Sequence, residues 1–318
     1  MDFQLTAENP NTKRAMAVKV AMIGHGFVGS VHASQLVSEK WVELVAVFGT
    51  ERDKTVEFAS AYSIKNASKS LEEAVSLADA VIVCSPSPVH YRQARECLEL
   101  GVHTLVEMPP CETMKEAEVL GDLARKRGVR VQCAHTTRYV TTYIRIADSI
   151  RSGELGAVQE VNFVRHHKLK DRAWMDDALL HHSAHPIDLM INWFGALTPI
   201  GCVALPQARG AQTVSLLGRL PNGAPATISV TYASRLPHMR MLVVGDRHTV
   251  ETDGFSYVRS DVDHLKLTIP ELQSYEKAIH DQDVEFLRSC QGEQTGVKWE
   301  EAVKLMETLN HFQELEKK

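Results

Sequence analysis

The chain is patterned as short apolar runs separated by stretches of helical spacing. Val18–Ile23 (VKVAMI) is apolar except for Lys19, and Val42–Phe48 is the second such run. Ala80–Cys84, His103–Val106 and Val129–Cys133 are the third to fifth. Between them Glu51–Ala61, about Val89–Leu100, and Met114–Arg127 carry apolar residues three and four apart, the mark of amphipathic helices. Strands alternating with helices predict a parallel sheet with helices on both faces. The pattern then changes. Thr141–Ile150 predicts a helix closed by Ser152-Gly153, and Val158–Arg165 alternates as a strand. Thr213–Leu217, Thr227–Thr231, Arg240–Val244, His248–Thr252 and Ser256–Arg259 predict further strands. Pro221-Asn222-Gly223 and Gly245-Asp246 are turns between antiparallel neighbours. Tyr275–Cys290 and Lys298–Lys317 predict closing helices.

The link between the first run and its helix carries the first chemical signal. Gly24, Gly26 and Gly29 supply G-x-G-x-x-G, and Val28, Val31 and Leu36 continue at helical spacing. Gly24 allows a tight turn, Gly26 lets backbone approach a pyrophosphate, and Gly29 lets helix and strand pack closely. The first helical N–H groups, from Phe27 and Val28 onward, lack partners within the helix and would face the phosphates. Glycine spacing alone is weak, but its place between strand and helix points to a dinucleotide site. The expected division is a flexible polar tail over residues 1–17, a dinucleotide-binding domain over 18–136 and a substrate domain over 137–318.

Ligands in this fold lie outside the carboxyl ends of the strands. Ser85 and Pro86 through His90, and Glu107-Met108-Pro109-Pro110, are therefore expected to line the cofactor cleft. The paired prolines fix a rigid turn, for which a cis bond is one form. The second strand ends Phe48-Gly49-Thr50-Glu51-Arg52, with no acid at its tip to bond the adenosine ribose of NAD. The Thr50 hydroxyl and Arg52 guanidinium suit a ribose phosphate, so NADP is expected; Glu51 in the acidic role would give NAD instead.

Composition narrows the class. With 318 residues, two domains are expected, and 44% hydrophobic and 24% charged residues are ordinary for a globular protein. A formal net charge of −5 gives no reason to expect nucleic acid or an anionic membrane as partner. No apolar run reaches a bilayer-spanning length of about 20 residues, and the first 17 residues lack the apolar core of a signal peptide. The six cysteines show no C-x-x-C pair and sit mostly in apolar contexts, as reduced thiols of a cytoplasmic protein would.

The densest chemistry lies in Asp176–Gly195 (DDALLHHSAHPIDLMINWFG). Leu189, Met190, Trp193 and Phe194 form an apolar stripe, and Gly195 is a natural stop. Pro186 would break a helix running through from Asp177, so the helix is expected to start at Ser183 as N-cap with Pro186 in its first turn. His185 then lies at the positive end of the helix dipole, which keeps its imidazole neutral. His181 and His185 are four apart, and His135, His166 and His167 could add metal ligands. Pro186 spoils that helical pairing, and no metal is expected. Asp188, Asp253 and Asp261 are assigned to structure or solvent.

GHGFVGSVH, CSPSPVHYRQARECLELGVHTLVEMPP, AHTTRY and HHSAHPIDL together resemble the glucose–fructose oxidoreductase / inositol dehydrogenase (Gfo/Idh/MocA) family. The resemblance implies an α/β protein with an N-terminal doubly wound Rossmann domain and a C-terminal α/β domain on a largely antiparallel sheet, often the oligomer interface. The family usually carries Glu-Lys-Pro after the fourth strand, its lysine polarising the reacting hydroxyl; here Met108 replaces it. VEMPPCETMKEAE, HTTRY and RAWMDDALLHHSAHPIDL are similar to a smaller branch, the 4-carboxy-2-hydroxymuconate-6-semialdehyde dehydrogenases, which use NADP to oxidise a cyclic hemiacetal.

By that resemblance His185 falls on the catalytic base, and His181 or His182 orients or relays. The segment Arg165, His166, His167, Lys168, Lys170 and Arg172 reads either as a solvated loop or as a carboxylate clamp. His135, Arg138 and Trp174 are further substrate-binding candidates. The expectation is an NADP-dependent dehydrogenase of a carboxylated small molecule, a homo-oligomer (dimer or tetramer) through its C-terminal sheet. A sugar or cyclitol dehydrogenase, or a non-catalytic NADP-binding sensor, are the alternatives.

Overall fold

In β1 (Val18–Ile23) every residue but Lys19 is buried, because the strand has packed neighbours on both faces. The computed structural model describes residues 17–168, 177–206 and 210–317. After β1 come α1 (Phe27–Leu36), β2 (Val42–Phe48), α2 (Arg52–Ala61), β3 (Asn66–Ala67), α3 (Leu71–Val75) and β4 (Ala80–Val83). Then follow α4 (His90–Glu99), β5 (His103–Val106), α5 (Met114–Arg127) and β6 (Val131–Cys133). The strands pair in parallel in the order β3-β2-β1-β4-β5-β6, so the chain reverses direction across the sheet at β1 and β4. All four residues of β4 are fully buried, each side chain larger than alanine contributing about 1.5–3 kcal/mol. Helix α5 is bounded as its sequence demands. Thr113 and Glu116 form a reciprocal capping box, Arg125, Lys126 and Arg127 fill the last turn, and Gly128 closes it at φ +69°.

A short 3₁₀ turn, Thr136–Tyr139, leads into α6 (Thr141–Arg151), β7 (Val158–Lys168) and α7 (Ala184–Phe194). The strands β8 (Thr198–Leu205), β9 (Thr213–Arg219), β10 (Pro225–Thr231), β11 (Ala233–Gly245), β12 (Thr249–Thr252), β13 (Tyr257–Ser260) and β14 (Leu267–Thr268) follow. With β7 they make an eight-stranded sheet, β14-β13-β12-β11-β7-β10-β9-β8, antiparallel except for β10 beside β7. Two helices close the chain, α8 (Glu271–Cys290) and α9 (Trp299–Glu316), and both return to the first sheet's helices. Helix α8 packs on α1, and α9 on α5, where the Trp299 indole N–H donates to the Ala117 carbonyl at 2.7 Å. Among the described residues no helix is long and apolar enough to cross a membrane, and the cysteines are unpaired thiols.

The inner face of the large sheet is apolar and covered, whereas its other face is open. Val203, Leu205 and Leu217 stand 72%, 69% and 42% exposed on β8 and β9. Several strands exceed expectation, among them the short β3 and β14 and a β7 that runs on to Lys168. Strand β8, with Pro199 and Gly201 in it, was not anticipated, and β11 begins at Ala233 rather than Arg240 because the ladder resumes past an irregularity between Ala233 and His238.

Candidate active site

The glycine turn is built as a phosphate cradle. Gly24 adopts φ +120°, and a Cβ there would lie 2.7 Å from backbone atoms of Cys84 and Ser85. A Cβ on Gly29 would sit 2.9 Å from the Gly24 carbonyl oxygen, so helix and strand touch there. On Gly26 the same atom would meet nothing within 4 Å. Gly26 is the N-cap of α1 without a side-chain cap, and Phe27 beside it is 74% exposed. Open backbone with uncapped N–H groups at a helix N-terminus fits a pyrophosphate. Val28 is half-buried.

At the tip of β2, Thr50 is exposed and the His25 ring lies against Gly49, where any Cβ would overlap it. Arg52 donates to the carbonyls of Ala67 and Ser68, and Glu51 pairs with Lys54 at 2.8 Å. Arg52 is thus anchored on the edge strand. Ser85 and Pro86 hold the turn after β4, with the Ser85 hydroxyl bonded to Gln93. His90 corrects one expectation: it is buried, with ring nitrogens 2.8 Å from the Pro109 carbonyl oxygen and 2.7 Å from that of Ser85. It joins the two turns rather than facing a ligand. The Met108–Pro109 bond is cis, and Met108 is only 3% exposed, packed into the core. Glu107, half-buried, meets His32 at 3.0 Å, and His32 meets Asp283 at 2.6 Å. Burial opposes charge on His32, but Asp283 and Glu107 outweigh it and raise its pKa to about 10.

The histidine turn is organised by Asp177. One carboxylate oxygen accepts the N–H groups of Leu179 (2.8 Å) and Leu180 (3.2 Å), and the other those of Gly210 (2.8 Å) and Ala211 (3.3 Å). The turn delivers His181 and His182, with ring centroids 4.5 Å apart, and α7 delivers His185, 6.4 Å from His181. His182 also stands 5.2 Å from Tyr232 and 5.0 Å from His167. Helix α7 starts where expected, with Pro186 in its first turn and Gly195 at φ +86° ending it. Ser183 takes the N-cap place but in helical backbone, and its hydroxyl donates to the Ala178 carbonyl (2.9 Å) instead of capping. His185 lies in the first turn of α7, as expected. Burial first, then Arg165 and the neighbouring His181, bring its pKa down to about 3. Burial and Arg165 likewise hold His182 well below the ordinary value.

Strand alternation divides the basic segment. Val161 and Phe163 point into the core, so Arg165 and His167 continue inward while His166 and Lys168 face the other way. His166 bonds the Ser229 hydroxyl at 2.9 Å, and Lys168 is exposed. Arg165 acts electrostatically on His182 and His185. Burial opposes its charge, the groups acting on it are Tyr143, Tyr232 and Tyr275, and no described carboxylate pairs with it. Lys170, Arg172 and Trp174 lie outside the described residues.

Arg138 is not free for a ligand, and His135 is engaged on its Nδ1 side while its buried Nε2 has no hydrogen-bond partner among the described residues. Both are committed to Asp188, which is fully buried one turn after His185 on α7. Arg138 donates through Nε (2.8 Å) and Nη2 (2.5 Å) to its two oxygens and reaches Glu301 at 3.3 Å. His135 Nδ1 lies 2.8 Å from Asp188 Oδ1. Burial works to raise Asp188, yet His135 and Arg138 hold it below the ordinary carboxylate range. Because His135 and Arg138 follow β6, this network locks the His185 helix to the carboxyl edge of the parallel sheet. Among the described residues no group of three His, Cys, Asp or Glu could hold a metal ion. Sequence reasoning missed Asp177, Tyr232 and Tyr275; only the Asp placed ahead of Leu-Leu-His-His offered a local signal.

Residues 18–135 match a family model described as "Oxidoreductase family, NAD-binding Rossmann fold", and residues 143–251 match the "GFO/IDH/MocA C-terminal domain". The chain belongs to the Gfo/Idh/MocA family. As a member it is an NAD(P)-dependent oxidoreductase of the dehydrogenase type. A 4-carboxy-2-hydroxymuconate-6-semialdehyde dehydrogenase of Sphingobium sp. is 28% identical over 228 residues, 68% of this chain and 72% of that protein. The scyllo-inositol 2-dehydrogenase (NADP(+)) IolW of Bacillus subtilis is 26% identical, over 64% of this chain and 59% of its own. Among solved Gfo/Idh/MocA-like folds, GenD2 from gentamicin A biosynthesis, in complex with NAD, superposes with a TM-score of 0.82 at 19% identity, covering 98% of this chain and 97% of its own.

Proposed function

We propose that the protein oxidises a hydroxyl or cyclic hemiacetal carbon of a carboxylated small molecule, with NADP as acceptor. The observation that carries this reading is Arg165, an inward guanidinium without an acid partner among the described residues, within electrostatic reach of a neutral His185 at the carboxyl edge of the dinucleotide sheet. The glycine turn and α1 would hold the pyrophosphate, and Thr50 and Arg52 stand at the ribose end. When bound, the nicotinamide supplies the hydride acceptor. His185 takes the hydroxyl proton at a ring nitrogen, and His181 and His182 shape the wall beside it. Arg165 orients the substrate by its carboxylate. Met108 is buried and cannot assist, which leaves proton removal to His185. The open sheet face around Val203, Leu205 and Leu217 is proposed to pair with a second copy. The carboxylated branch relative, at 28% identity, supports the substrate class.

The decisive experiment is turnover on two panels, ring-cleavage semialdehydes bearing carboxylates and neutral sugars or cyclitols, with Arg165→Met alongside. Arg165→Met is expected to lower kcat/KM for the carboxylated substrate by about 10–100-fold, the worth of a charged hydrogen bond, and to spare an analogue lacking that carboxylate. Turnover confined to the sugars would replace this reading with the sugar-dehydrogenase one.

The same pair predicts a split pH profile. Arg165 helps depress His185, so a substrate carboxylate seated on Arg165 cancels part of that field and lifts the base toward the ordinary value. Kcat/KM reports the free enzyme, with His185 protonating only near about 3, so it should show no acid limb at about 6.5. The limb in kcat should lie higher. Steady-state rates across acid and neutral pH check this, and coincident limbs would contradict it.

A further inference from the structure

His32 stands apart from the histidine cluster. It lies on α1, completely buried, with Nδ1 2.6 Å from Asp283 Oδ2 and Nε2 3.0 Å from Glu107 Oε1. Both partners are acceptors, so the ring donates on both sides. Glu107 is in turn fixed at its other oxygen, which accepts the Met108 N–H at 3.2 Å. On the far side Gln282 donates to Asp283 (3.3 Å), and the Thr136 hydroxyl donates to Gln282 (3.0 Å). One unbroken polar chain therefore joins the glycine-turn helix, the turn after β5, helix α8 and the turn after β6. These are the segments that ring the carboxyl edge of the parallel sheet.

We propose that His32 is a positioning residue for the nicotinamide end of the dinucleotide site, acting through Glu107. By gripping the Glu107 carboxylate from α1, it sets the Glu107-Met108-Pro109 turn at a fixed distance from the phosphate cradle on that same helix. The two ends of the dinucleotide site are thus held in register by one side chain. Glu107 alone, pointing from a turn, would have no rigid partner, and Asp283 would be a buried carboxylate facing only Gln282. The inference rests on the reading that the cofactor lies along this edge.

Binding of a whole and a truncated ligand separates the possibilities. The pair is NADPH with 2′-phospho-ADP-ribose, or NADH with ADP-ribose, according to which reduced cofactor the wild type binds more tightly. The truncated ligand keeps the phosphates and adenosine but has no nicotinamide. Titration calorimetry on His32→Gln and Glu107→Gln should show the whole cofactor weakened about tenfold, the scale of a lost charged hydrogen bond, with the truncated ligand within about twofold. Equal losses for both ligands would mean that His32 merely supports α1, and unchanged binding would mean that it holds nothing the cofactor feels; either overturns the proposal. Should His32→Gln not fold, Glu107→Gln, which keeps the side-chain shape, gives the same readout. A wild type that binds neither whole cofactor would sink the parent reading itself, an outcome distinct from a loss confined to the variants.

Discussion

His185→Ala is expected to lower kcat by about 10²–10⁴-fold, the usual contribution of a placed general base, while the dissociation constant for reduced cofactor stays within a few fold. That loss corresponds to roughly 3–5 kcal/mol of transition-state stabilisation. The separation follows from position. His185 sits in the first turn of α7 among His181, His182 and Arg165, whereas the phosphate cradle is on α1. Gly24, in the glycine turn, packs instead on Cys84 and Ser85. Steady-state kinetics with a fluorescence titration of the reduced cofactor checks both halves. Turnover retained within about fivefold would remove His185 from the proposed reaction.

Arg138→Met should cost about 3–5 kcal/mol of stability at neutral pH, because it leaves a fully buried carboxylate without its bidentate partner. The sign with pH is fixed by Asp188. Its pKa is depressed in the folded chain, so the stabilisation is present above the unfolded value, near 3.8, and is lost as pH falls through the folded one. In the variant the carboxyl is no longer held charged by Arg138, so the gap between wild type and variant should narrow on acidification. Urea unfolding at neutral pH and again at about pH 3 measures the gap. A neutral-pH difference below about 1 kcal/mol would mean that Asp188 is not dependent on the pair.

The parallel half was legible because local and global signals agree there. Apolar runs and glycine spacing specify the same alternation. The histidine stretch was legible for a different reason: Pro186 and Gly195 bracket α7 so tightly that its start and stop could be read directly. What failed was partner choice. Arg138 looked like a clamp because its acid, Asp188, is 50 residues away in sequence, and only folding brings them to hydrogen-bonding distance. His90 looked ligand-facing because its two carbonyl partners come from turns that are separate in the chain. His32 was read only as the last residue of GHGFVGSVH, without a role, since Glu107 and Asp283 are 75 and 251 residues distant. Strand β8 was hidden by Pro199 and Gly201, residues that punctuate strands, and it forms because β9 offers a complete ladder beside it, with a register shift between those two positions.

The alternation of β7 has an evolutionary corollary. A single-codon insertion or deletion ahead of Arg165 would leave the sheet able to form yet rotate the guanidinium to the outer surface and bring His166 indoors. Length changes in that strand can therefore be inherited only in twos, and homologues that differ there by an odd number must carry a bulge that restores the parity.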